Sequence, residues 1–125
     1  MTFLATLKQR GFFKQTTHPE ELEQRARSGR ICAYIGFDPT ADSLHIGHLI
    51  PMMGLAHLQR SGQRIIALMG GGTAMIGDPS GKTEMRKMLT ESQLEENVLK
   101  IKPQMERFLD FSSDSELINN VEWLR

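Results

Sequence analysis

The sequence predicts an α/β chain built on a parallel sheet. Three observations carry that prediction. Ile31–Phe37 and Arg64–Met69 are short apolar runs of strand length, each closed by glycine or by Asp-Pro. Between them lies a helical stretch ending near Arg60, with Gly62 just beyond it. Strand, helix and strand in that order make a βαβ unit, whose two strands run parallel. Ligands of such sheets bind beyond the carboxyl ends of the strands. Gly36-Phe37-Asp38 and Gly70-Gly71-Gly72-Thr73 fall at that edge.

The elements follow in order. Phe3, Leu4 and Leu7 share one face of a short helix that Gly11 ends. Thr17-His18-Pro19-Glu20 has the form of a capping box, with proline in the first turn. A polar, peripheral helix from Glu20 to Arg27 follows, ended by Gly29. Ile31–Phe37 reads as a buried strand, and Tyr34 within it as a core tyrosine. Pro51 fixes the start of the next helix, because proline fits only a first turn. That helix begins around Gly47 and runs to Arg60, which puts His45 and His48 at its mouth. Thr90 with Gln93 is a second capping box. Leu94, Val98, Ile101, Met105 and Phe108 continue at helical spacing, with a kink or break expected at Pro103. Asp110–Asn120 reads as loop with a short strand at most. Three segments result: a helical lead-in over 1–30, a ligand-binding βαβ and loop over 31–83, and a helix with a connecting region over 84–125.

Composition excludes several classes. The 125 residues are 39% hydrophobic and 24% charged, as in ordinary globular proteins. Fifteen Lys and Arg balance fifteen Asp and Glu, so no basic excess advertises a nucleic-acid surface. The single cysteine, Cys32, cannot form an internal disulfide, and a reducing intracellular setting is expected. The amino terminus lacks the form of a signal peptide, and no apolar run is long enough to span a bilayer.

The candidate chemistry centres on His45-Ile46-Gly47-His48. A helix mouth supplies N–H groups, glycine permits close approach, and imidazoles donate to phosphate oxygens. Two histidines three apart also suit metal binding or capping, but nothing nearby completes a metal ligand set. Gly77–Thr83 is no P-loop, because three residues separate its glycines where four are needed. Gly70-Gly71-Gly72 does not complete a dinucleotide fingerprint, since Met75 stands where glycine is required. Asp78 reads as a turn former that could pair with an ammonium group beside a cleft. Lys82, Arg86 and Lys87 read as a solvated surface.

The run Tyr34–Leu49, YIGFDPTADSLHIGHL, closely resembles the start of bacterial-type tyrosyl-tRNA synthetases, which are class I enzymes. Gly77–Lys82, Arg107–Phe111, and Asn119-Asn120 with Trp123 extend the resemblance over essentially the whole chain. It implies a Rossmann-like parallel sheet with preceding helices. It implies ATP-dependent activation of L-tyrosine to tyrosyl-adenylate, then transfer to tRNA(Tyr), with ATP as substrate carrying Mg2+. Thr40, His45 and His48 would be catalytic. Tyr34, Gly36, Thr73 and Asp78 would bind tyrosine. Asp38, Thr40, His45, Gly47 and His48 would bind ATP. The parent would be a cytoplasmic homodimer.

Two departures stand out. Gly72 occupies a position where the resemblance leads one to expect alanine. A KMSKS-like loop, the family's second signature, is nowhere in the 125 residues. The chain therefore reads as an amino-terminal portion that exposes a strand edge and apolar surface. The competing readings are a non-catalytic ATP-binding module and another HIGH-type nucleotidyltransferase.

Overall fold

A computed structural model describes residues 1–76 and 89–124. Helix α1 spans Phe3–Gln9, with Thr2 accepting the Ala5 amide at its start. Gly11 follows at φ 77°, the left-handed conformation that lets the chain turn out of the helix. Helix α2 spans Pro19–Ser28, with proline in its first turn, and buries no residue. Its N-cap is His18, without a side-chain bond, so the Thr17–Glu20 capping box does not form. A surface ion pair, Lys8 to Glu23 at 2.7 Å, ties α2 to α1.

Strand β1 is Cys32–Phe37 and strand β2 is Arg64–Met69. They pair in parallel, Tyr34 opposite Ile66 and Gly36 opposite Leu68. Between them a 3-10 turn, Ile46–His48, runs straight into helix α3, Leu49–Arg60. Pro51 sits in the first turn of α3 as its chemistry requires. Gly62, at φ 84°, closes the far end.

Helix α4 is the short Gly71–Ile76, starting from the glycine run at the sheet edge. Helix α5, Glu91–Met105, opens on the predicted reciprocal cap of Thr90 and Gln93. It continues through Pro103 and ends two residues later. The ring therefore lies in the last turn, where the lost hydrogen bond ends little helix. Strand β3, Glu116–Asn119, pairs parallel to β2, giving the order β1-β2-β3 among the described residues. It leads into a 3-10 turn, Asn120–Glu122.

All the helices that build the core lie against one face of the sheet. Leu55 of α3, Ile65 and Met69 of β2, and Ile101 and Met105 of α5 are at most 1% exposed. Burying each such side chain stabilises the fold by about 1.5–3 kcal/mol. Among the described residues no helix covers the opposite face at β1. Cys32, Tyr34 and Gly36 of β1 are exposed, while Phe37 is buried and Ala33 and Ile35 are half-buried toward α3. The expectation of a buried strand is thus corrected to one buried on a single face, and Tyr34, 69% exposed, is no core tyrosine. The reason is that periodicity cannot tell a strand covered twice from one covered once when its open face is itself apolar. Among the described residues no helix is long and apolar enough to cross a membrane.

Candidate functional site

Three strand ends, one helix mouth and α4 converge at the carboxyl edge. His45 is the N-cap of the 3-10 turn, with extended backbone at φ −114° and ψ 174°. Its N–H donates to His48 Nδ1 at 3.0 Å, and its own Nδ1 accepts from the Gly47 N–H at 3.0 Å. The two rings stack at 3.8 Å between centroids. A ring nitrogen that accepts carries no proton, so each neutral imidazole holds its hydrogen on Nε2. The backbone thereby fixes both tautomers and leaves two Nε2–H donors at the helix mouth. Gly47 is required here, because a Cβ would lie 2.8 Å from His45 Cε1.

His48 also lies 6.2 Å from the Phe37 ring. Partial burial and the neighbouring His45 push its pKa below the ordinary value of 6.5, while Asp38 pulls the other way. That direction favours the neutral imidazole at pH 7.

Gly70 extends the β1–β2 ladder by donating to the Phe37 carbonyl at 2.8 Å. A Cβ on Gly70 would lie 2.8 Å from both Asp38 Oδ1 and Thr73 Oγ1. The glycine leaves room for both polar groups to approach the strand end. Thr73 donates its hydroxyl to the Gly70 carbonyl at 3.0 Å. Asp38 has no hydrogen-bond or ion-pair partner among the described residues. Thr40 is exposed in the loop after β1. Gly36 lies on the exposed face beside Tyr34, and a Cβ there would meet nothing within 4 Å. Asp78, Lys82, Arg86 and Lys87 lie outside the described residues.

Sequence reasoning missed what holds α4. Asn119 Oδ1 accepts the Gly71 N–H at 3.2 Å, and Asn120 Oδ1 accepts the Gly72 N–H at 2.7 Å. The Asn120 amide also approaches Thr73 Oγ1 at 3.5 Å. These two asparagines, at the end of β3 and just after it, cap the first turn of α4 and hold Thr73 over the strand end. The Asn-Asn pair was visible as a string, but its partners lie 48 residues away.

Comparison with known proteins places this edge in context. Residues 26–125 match the family model described as tRNA synthetases class I (W and Y). The chain belongs to that family. This class I synthetase chain is 62% identical over 122 residues to the tyrosine–tRNA ligase of Clostridium botulinum, covering 97% of itself and 30% of that protein. It is 56% identical over 125 residues to the tyrosine–tRNA ligase of Caldanaerobacter subterraneus, covering 99% of itself and 31% of that protein. In shape it is similar to a C-terminally truncated mitochondrial tyrosyl-tRNA synthetase of Coccidioides posadasii. The TM-score is 0.77 at 30% identity, over 98% of this chain and 36% of that one. The synthetase chain thus spans about 30% of the length of the curated relatives it matches. The α/β class with a parallel sheet, expected from the sequence, is the fold observed.

Proposed function

We propose that this chain carries the ATP- and tyrosine-binding edge of a tyrosine–tRNA ligase. The observation that carries the reading is Tyr34. It stands 69% exposed on the open face of β1, beside a glycine that the fold itself does not demand. An open hydroxyl next to open space is a place for a phenol. Removing that phenol from a ligand leaves the tyrosine hydroxyl without its partner, which is a route to rejecting phenylalanine. Thr73 and Asp78 receive the substrate ammonium. Gly36, Asp38 and Gly47 give the two substrates room and polar contacts. Thr40 and the two Nε2–H donors of His45 and His48 hold the triphosphate of ATP, which brings its Mg2+ with it.

The chemistry these groups serve is adenylation. A carboxylate oxygen of tyrosine forms a bond to the α-phosphorus, and the bond from that phosphorus to the bridging oxygen of pyrophosphate breaks. No bond to the protein is made. Positioning and stabilisation of developing charge carry the rate, and neutral imidazole donors at a helix mouth suit a group becoming more anionic. Transfer of tyrosine to tRNA(Tyr) completes the reaction of the longer protein, a cytoplasmic homodimer.

Tyrosine-dependent exchange of pyrophosphate into ATP, with calorimetric titration of each ligand, tests the reading. Binding of ATP that His48→Ala weakens, and of L-tyrosine that Tyr34→Phe weakens, is the expected result. Any exchange should require tyrosine and fall by about 10²–10³-fold in His48→Ala. Binding without exchange would make the isolated chain a non-catalytic module. Exchange that ignores tyrosine, or binding of neither ligand, would overturn the assignment.

A further inference from the structure

The loop that delivers the chain from β1 to the histidine pair, residues 38–45, has no regular structure of its own. It is held instead by one face of α5. Asn97 donates to the Pro39 carbonyl at 2.8 Å. Lys100 lies 3.9 Å from the Asp42 carboxylate. Gln104 Oε1 accepts the Leu44 N–H at 2.9 Å, and its Nε2 donates to the Asp42 carbonyl at 3.1 Å. These three residues are three and four apart, the spacing of one helix face.

Gln104 is the decisive member. Its second amide hydrogen goes to the Lys100 carbonyl at 3.1 Å, so oxygen and nitrogen are both engaged. Because Leu44 offers an N–H and Asp42 a carbonyl, the amide has one allowed orientation. It grips the chain one residue before His45, whose N–H fixes His48 Nδ1. We propose that Gln104 is a positioning residue for the His45–His48 pair, setting from α5 the backbone that fixes both imidazole tautomers. The proposal concerns the geometry of the histidines and stands whether or not the edge binds tyrosine.

The fold supplies a matched control. Gln59, at the far end of α3, makes the same kind of grip on Asp110, donating to its carbonyl at 2.6 Å and accepting its N–H at 2.9 Å. Gln104→Met and Gln59→Met each delete a two-sided side-chain-to-backbone clamp while keeping side-chain length. The experiment records long-range ¹H–¹⁵N spectra of the histidine rings in the full 125-residue chain near pH 8, where imidazole is neutral.

Both variants should lose comparable stability, with Tm falling by roughly 3–8 °C. Only Gln104→Met should move the His45 and His48 ring signals from the Nε2–H form toward a mixture of tautomers. Gln104→Glu, which can still accept from Leu44 but not donate to Asp42, should fall between Met and wild type. Ring signals that stay unchanged in folded Gln104→Met, or that change equally in Gln59→Met, would overturn the proposal. Loss of ATP binding with unchanged ring signals would overturn it too, while leaving the functional reading standing. Unchanged ATP binding with altered tautomers would support the positioning role and count against the histidines as ATP ligands.

Discussion

The two ends of the sheet use polar side chains in opposite ways. At the amino ends of the strands charge is matched with charge. Arg30 pairs with Asp114 at 2.6 Å and also donates to the Gly62 carbonyl at 2.8 Å. Arg64 pairs with Glu116 at 3.1 Å and donates to the Asp114 carbonyl at 2.8 Å. At the carboxyl ends the polar side chains bond to backbone instead. Asn119 and Asn120 take the amides of α4, His45 and His48 take amides of the helix mouth, and Gln104 grips the incoming loop. Asp38 keeps its charge unmatched among the described residues. One end has consumed its chemistry in holding strands together. The other is held mainly by neutral groups, the exposed Lys100–Asp42 pair on the incoming loop apart, so its donors and the Asp38 carboxylate remain available to a ligand.

The largest expected effect that tests this contrast is at Asn120. It is 6% exposed, and its loss strands the buried Gly72 N–H. Asn120→Ala should lower folding stability by about 1–3 kcal/mol, measured by urea unfolding. Arg30→Met at the other end removes an ion pair whose members are roughly half exposed. It should lower stability by only about 0–1 kcal/mol, and by less still in 1 M salt. A salt-insensitive loss at Arg30 as large as that at Asn120 would erase the distinction between the ends.

How much of this was legible in the sequence follows from how far each interaction reaches. Features set within four residues were readable. The Thr90–Gln93 cap, the left-handed Gly11 and Gly62, and the placement of His45 and His48 by Pro51 all came from local chemistry, and all stand in the structure. The pairing of β1 with β2 was readable because one helix separates them. The Thr17–Glu20 cap was misread, since the helix took His18 as its N-cap one residue on. Tyr34 was misread because facing an uncovered sheet surface is a property of the fold and leaves no trace in the pattern of β1. The asparagine cap of α4 and the Gln104 grip span 48 and 60 residues. No periodicity encodes such partners; a polar residue on a helix face looks the same whether it meets water or a loop. The short strand read within Asp110–Asn120 is β3, its bounds blurred in the sequence because its four residues include Glu116 and Asn119, whose side chains serve the two edges.

The pH response of His48 sharpens the contrast further. Its folded pKa lies below 6.5, chiefly from burial and then from His45. In the unfolded chain the same ring takes up its proton near 6.5. Between the two midpoints the unfolded state binds more protons, so stability falls as pH falls through that window and is fully present above it. NMR titration of the ring should give a midpoint below 6.5, and His48→Gln should flatten the pH dependence of Tm in that window. The Asp114 carboxylate of the amino end acts at lower pH. Asp114, hydrogen-bonded to Arg30, titrates below the ordinary carboxylate value, so its contribution is lost only in acid. A midpoint for His48 above 6.5 would mean that Asp38 outweighs burial and that a cation stands at the helix mouth.

The smallest expected effect lies at Gly72. A Cβ there would sit 3.0 Å from Leu124 Cβ, 3.1 Å from Asn120 Oδ1 and 3.3 Å from Val121 Cα. Alanine improves helix propensity by up to about 1 kcal/mol, but the methyl presses on the bond that caps α4. Gly72→Ala should therefore be close to neutral, a net loss of about 0.5 kcal/mol once crowding is set against that propensity gain. Leu124 is 41% exposed, whereas Asn120 and Val121 are buried, so Leu124 is the neighbour that can yield. In a Leu124→Gly background, which removes the crowding Cβ, the same substitution should turn mildly stabilising, a coupling a double-mutant cycle reads directly. If the penalty survives removal of the leucine side chain, the conflict lies with the Asn120 cap itself. The carboxyl edge would then be as tightly constrained by its neutral bonds as the amino edge is by its charges.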